Sequence, residues 1–200
     1  MINLVELIRD TFLEPRLAGQ KIVALNLPLP IAVSILAFSL LMGAVLGGGL
    51  DLFFQNKPVD PPSGEMVMDF ADVGPIVGLM IAALISAFLI LAFLFVGYAF
   101  GGKGHLHHAV ALIAWTDLFS TGLSLIIIAL AAVFPAVSTI LLLVMLVMML
   151  RISVAFMAAL HGFEGTGRPL ISFFLAMFLT AFVLSNAALM TGFVTVGVAP

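Results

Sequence analysis

At 200 residues the chain could bury a sizeable core, yet it is 64% hydrophobic and only 8% charged, with a mean hydropathy of +1.33. Soluble domains carry about a quarter of their residues as charge, so this composition excludes one and makes lipid the solvent. A net charge of −3, with seven scattered Lys and Arg, gives no basis for nucleic-acid binding, and the lack of cysteine removes disulfides, thiol nucleophiles and thiolate metal sites.

Residues 1–27 are the most charged stretch and are expected to form a cytoplasmic amphipathic segment. Leu4, Leu7, Ile8 and Phe12 recur at helical spacing while Glu6, Arg9 and Asp10 take other angles, which predicts a short helix. Acids interrupt the opening turns, where a secretory signal needs basic residues followed by a compact apolar run. Glu14-Pro15 predicts the start of a second short helix, because proline fits the first helical position. The segment is expected to lie on the membrane surface, with a docking site for a partner as the compatible alternative.

Residues 28–200 are expected to form an all-α membrane domain of five transmembrane helices. The apolar runs fall near 30–50, 74–100, 109–132, 136–160 and 170–197, each long enough to cross about 30 Å of hydrocarbon. Pro135 divides the third run from the fourth, because Ala109 to Leu150 is too long for one crossing. Gly43 and Gly47 in the first span, and Gly74 and Gly78 opening the second, predict a close packing contact between these two spans. The loop between them, near 51–73, holds Pro58, Pro61, Pro62 and Gly64 and is expected to be a stiff, irregular crossing. Its acids, spread from Asp51 to Asp72, are too dispersed to converge on a hard cation.

Arg9, Arg16 and Lys21 precede the first span, Lys103 lies between the second and third, and Arg168 lies between the fourth and fifth. Only Lys57 falls on the other side. Positive charge stays inside, so the N-terminus is expected in the cytoplasm and the C-terminus outside.

The polar break Gly97 to His108 combines glycines, a cation and histidines. Its run from Gly97 to Lys103 matches the opening of a phosphate loop. However, Gly104 stands where a Ser or Thr must hold magnesium, and a membrane helix replaces the preceding strand, so no nucleotide is expected. Gly101, Gly102, Lys103 and Gly104 read instead as a turn that ends the second span. His105, His107 and His108, with His161 on the same side, are imidazoles of the kind that bind transition metals. Neighbouring histidines on a helix point in different directions, and no metal site is expected. No catalytic constellation appears, so neither an enzyme nor a cofactor is expected. Ser120, Thr121, Ser138, Thr180 and the other span hydroxyls are expected to bond to backbone carbonyls or across helices.

Three polar groups sit within the apolar runs: Asp117, Arg151 and Asn186. Asp117 is about 12 Å from the cytoplasmic start of its span and Arg151 about 15 Å from the cytoplasmic end of its own, at 1.5 Å per residue. Equal depth on neighbouring spans predicts an ion pair between them, the alternative being that Arg151 snorkels to the cytoplasmic headgroups and Asp117 is protonated. Ionisable groups in a membrane are functional candidates, which supports a small-solute or ion transporter or channel as the alternative function.

Glu14-Pro15-Arg16, the first span and outer loop, and Phe100-Gly101-Gly102-Lys103-Gly104 leading into a small-residue span together resemble the Yip (Ypt-interacting protein) domain family over nearly the whole chain. The resemblance implies a five-span membrane protein with an inside N-terminus. Where the family often carries a proline shortly after the glycine turn, this chain has Trp115-Thr-Asp-Leu-Phe119, so no binding role for the third span is carried over. Eukaryotic members are linked to Rab-type GTPases and have a long cytosolic N-terminal region. The short segment here resembles a compact bacterial-type member, and GTPase binding is not carried over. The expected function is a non-enzymatic inner-membrane role through helix packing, as a membrane organiser or an accessory subunit of a larger complex. Expected partners are the lipid bilayer and a membrane protein or second copy, without nucleic acid or nucleotide.

Overall fold

The computed structural model describes residues 3–54, 66–70, 75–131, 133–190 and 194–198. Two short helices open it, α1 (Leu4–Leu13) and α2 (Pro15–Ala24). Asn3 caps α1 by accepting the Val5 N–H at 3.0 Å, and Pro15 starts α2 with its φ already set for a helix. Next come α3 (Leu29–Phe54), β1 (Met66–Phe70), α4 (Pro75–Ala99), α5 (Leu106–Ala131), α6 (Pro135–His161), α7 (Gly167–Met190) and β2 (Val194–Val198). The five long helices are each long and apolar enough to cross a membrane, and Pro135 opens α6. The membrane part is all-α.

The fifth span ends before its apolar run does. α7 stops at Met190, whereas the hydropathy reading carried it to 197. Val194–Val198 instead pairs antiparallel with Met66–Phe70. Valines at 194, 196 and 198 repeat with the period of two that suits a strand, and a hydropathy window merges them with the helix before them. The pairing joins the segment after the first span to the segment after the fifth, which places both at one end of the bundle.

Helix α3 packs chiefly on α5, α4 on α7, and α5 on α6. The first span's main neighbour is therefore the third rather than the second. A Cβ added at Gly43 or Gly78 would meet nothing within 4 Å, so the close contact expected at these two glycines is not made there. Small residues permit close approach without compelling it. The surroundings of Gly47, the whole of Gly74 and the proline-bearing centre of the 51–73 loop lie outside the described residues.

Burial concentrates toward the end of the bundle where the α4–α5 turn lies. Ala109 through Ala114, Phe93, Phe156, Met157 and Leu160 are buried there, while Leu142, Leu143, Val144 and Met190 face outward. The α1–α2 hairpin completes this end instead of lying free on a surface. Its Leu7, Ala18 and Ile22 are buried. Gly19 lies so close to α6 that a Cβ there would sit 2.8 Å from Ala159 and 3.0 Å from Phe156. Trp115 Nε1 donates to Thr11 Oγ1 at 3.1 Å, and Phe12 meets Phe119 edge-on at 4.8 Å. Of the four apolar residues that sequence places on one face of α1, Leu7 is buried and Phe12 packs on Phe119, while Leu4 and Ile8 stay exposed.

An ionic clasp joins the two short helices. Lys21 Nζ pairs with Glu6 and, at 2.7 Å, with Asp10 Oδ2. The Lys21 hydrogen bond holds the Asp10 carboxyl below its ordinary value of 3.8 against the opposing effect of burial. The Asp10 hydrogen bond in turn holds Lys21 above its ordinary 10.5. A lowered acid stabilises the fold above its ordinary value and loses that contribution as pH falls through the lowered one. A raised base behaves oppositely, losing its contribution as pH rises past 10.5. Trp115, the single tryptophan, touches α1 and reports docking. Its emission is expected to hold steady at neutral pH and shift to the red below pH 3.8, with a smaller acid shift in Asp10→Asn. Superimposable acid curves for the two proteins would contradict a role for this clasp.

Candidate functional site

The glycine turn closes α4 through two backbone bonds. Gly102 N–H reaches Gly97 O at 2.9 Å and Gly101 N–H reaches Tyr98 O at 2.9 Å, with Gly101 at φ 84°. This left-handed closure is a common helix ending, and it explains the glycine at 101. The glycines at 97, 102 and 104 have a different cause. A Cβ at each would lie 2.0, 2.3 and 2.8 Å respectively from the His161 ring. His161, the last residue of α6, fills the concavity that these three glycines leave.

The histidine is held on both ring nitrogens. Nδ1 accepts the Gly104 N–H at 3.2 Å, and Nε2 faces the Phe93 carbonyl at 3.1 Å. A nitrogen that accepts from an amide carries no proton, and one facing a carbonyl must donate, so the ring is the Nε2–H tautomer. Tyr98 donates its hydroxyl to Gly104 O and stands edge-on to the imidazole at 5.8 Å. Phe163 stacks on it at 5.4 Å. The group ties together α4, the turn and α6. Sequence placed His161 only among possible metal ligands. Glycines signal that something bulky approaches, but nothing in sequence says from which helix.

His105, His107 and His108 gather at the start of α5, with ring centroids 4.0–5.8 Å apart. Asn26, in the link between α2 and α3, receives both His107 Nε2 at 2.9 Å and His108 Nε2 at 3.2 Å on its Oδ1. Asn26 adopts φ 46°, a left-handed conformation that asparagine tolerates. Among the described residues no group of three potential metal ligands converges. Lys103 is exposed beside this cluster.

The predicted Asp117–Arg151 pair is not formed. Arg151 donates to Phe12 O at 3.1 Å and Leu13 O at 2.8 Å, closing the carbonyl end of α1. Free carbonyls and the negative end of a helix dipole are a good destination for a guanidinium. Asp117 points elsewhere, into an apolar cavity of about 400 Å³ lined by Phe93, Ile113, Phe156 and Phe173, where its Oδ2 is buried without a partner among the described residues. The reason is rotational. Trp115 and Phe119 face the hairpin, and Asp117 lies about 200° around α5 from Trp115, so equal depth brings no contact. Asn186 is exposed on α7 and donates to Phe182 O at 2.7 Å within its own helix. Ser120 bonds back to the Asp117 carbonyl, but the buried Thr180 hydroxyl finds no partner among the described residues.

The family model of the Yip1 domain matches residues 9–187. The chain belongs to the Yip1 domain family. That match begins inside α1 and ends in α7, so it takes in most of the docked hairpin as well as the five long helices of this Yip1 domain. Neither the curated proteins nor the solved structures offer a match to the chain. In this Yip1 domain the residues that sequence singled out serve two structural tasks. The glycine turn seats His161, and Arg151 anchors the hairpin; sequence reasoning missed Gly19, which packs the hairpin on α6, and the Trp115–Thr11 hydrogen bond that holds it to α5.

Proposed function

We propose that this Yip1 domain is a non-enzymatic bacterial inner-membrane protein that acts through its outer helix surfaces on lipid or on a membrane-protein partner. The hairpin and glycine turn lie on the cytoplasmic side in this reading, and the C-terminus outside, following the loop cations at Arg9, Arg16, Lys21, Lys103 and Arg168. The observation that carries the reading is the dispersal of the three intramembrane polar groups. Asp117 lines one cavity, Arg151 lines a separate groove, and Asn186 bonds within its own helix. A transport path for an ion or small solute would need such groups to line one water-accessible route. Support also comes from the outward faces: only 11–33% of each candidate span is buried within the chain. Surfaces of that extent are met by lipid, by a second copy or by another membrane protein.

Proteoliposomes test this directly. The reconstituted chain is expected to leave proton, potassium and small-anion permeability at the level of empty liposomes, and to retain lipid or a second copy when released gently into native mass spectrometry. Permeability that rises with the protein and falls in Asp117→Asn would instead establish the transporter reading.

A further inference from the structure

The groove between the hairpin and α6–α7 carries a chemistry that packing leaves unused. It has a volume of about 790 Å³ and is lined by Arg16, Gln20, Arg151 and Thr166 above an apolar floor of Val147 and Leu150. Arg16 donates to Phe163 O, just past the end of α6, and Arg151 donates to Phe12 O and Leu13 O. A guanidinium has five N–H donors in a planar fork, so both side chains keep donors to spare. Among the described residues no carboxylate lies within the 4.0 Å of an ion pair with either one. Glu14 lines the same groove without pairing to them, which leaves the groove with a net positive charge.

The depth of the groove matters as much as its charge. Arg16 marks its mouth at the end of α6, Arg151 lies about 15 Å down that helix from His161, and Val147 about 21 Å, at 1.5 Å per residue. Below Arg16 the α6 wall is apolar at Ala158, Ala155, Val154, Leu150 and Val147 and is interrupted by Arg151, so a cationic mouth opens onto a mainly hydrocarbon wall, as a phospholipid headgroup leads to its acyl chain. A free phosphate would match the arginines but leave the apolar floor unused. We infer that this groove binds an anionic phospholipid, its headgroup phosphate on Arg16 at the mouth and an acyl chain along Val154, Leu150 and Val147, with Arg151 adding positive charge farther down the groove. The inference deepens the lipid-partner reading of the proposed function and rests on it.

The test uses the full chain in nanodiscs of mixed phosphatidylglycerol and phosphatidylcholine, with the lipids that stay bound counted by native mass spectrometry. Phosphatidylglycerol is expected to be enriched on the protein, and the enrichment to fall by about fivefold for each arginine replaced, in Arg16→Gln and in Arg16→Gln with Arg151→Gln. Trp115 emission monitors docking, and Arg16→Gln alone, which leaves Arg151 on the α1 carbonyls, carries the test if the double variant undocks. Equal retention of the two lipids by the unaltered chain, or an enrichment unchanged in Arg16→Gln, overturns the inference. Displacement of the lipid by millimolar inorganic phosphate assigns the site to free phosphate and also overturns it. The permeability measurement is independent of all these outcomes, so loss of this site leaves the non-transport reading standing.

Discussion

Gly97→Ala is expected to destabilise the protein by about 3 kcal/mol, even though alanine is the better helix former by about 1 kcal/mol. The added Cβ would lie 2.0–2.4 Å from Nε2, Cε1 and Cδ2 of His161. The ring must leave, and it takes with it the partner of the Gly104 N–H and of the Phe93 carbonyl. His161→Ala removes every one of those clashing atoms, so in that background Gly97→Ala is expected to be neutral or slightly stabilising. Gly102→Ala gives a sharper comparison. Its Cβ would also lie 2.6 Å from the His161 Cβ, which alanine at 161 retains, so that double variant is not rescued. Thermal unfolding in detergent of the unaltered chain and the five variants reads these effects. A Gly97→Ala midpoint at or above that of the unaltered chain would contradict the close seating of His161.

Asp117 and Arg151 are expected to respond in opposite directions. Arg151→Leu removes two charge-assisted hydrogen bonds from the α1 carbonyls and is expected to cost about 2–4 kcal/mol, with the hairpin released. Asp117→Leu removes a carboxyl oxygen buried without a partner among the described residues and is expected to stabilise by about 1–3 kcal/mol. Because the two side chains face different neighbours, the double variant should equal the sum within about 0.5 kcal/mol. A coupling of 2 kcal/mol or more, of the size a buried ion pair produces, would restore direct contact between them.

Hydropathy made the five long helices and the two-helix opening legible, because length and apolar composition are properties of each segment alone. Pro15 and Pro135 were legible for the same reason, as local conformational signals at the first turn of α2 and α6. What sequence could not supply was rotation. A membrane helix is apolar on every side, so it has no polar face from which to read its orientation. The depths of Asp117 and Arg151 were therefore readable and their directions were not. Gly43 and Gly78 misled on the same ground, since a four-residue spacing marks a permissive stripe but not the neighbour that uses it. The glycines between the second and third spans are legible as a break, but the side chain that needs them, His161, lies 57 residues away from Gly104. The amphipathic opening showed a face to be buried, and whether lipid or protein buries it depends on Gly19 and Trp115, neither of which stands out locally.

The account rests on the hairpin being seated against α5 and α6 rather than riding free in the headgroups. Photo-crosslinking in native membranes tests this most directly, with benzoylphenylalanine in place of Phe12 and, as a lipid-facing control, in place of the exposed Leu4. Phe12 is predicted to crosslink to the α5 peptide around Trp115 and Phe119, while Leu4 crosslinks to lipid. Lipid adducts at both positions, with none on α5, would contradict the seating.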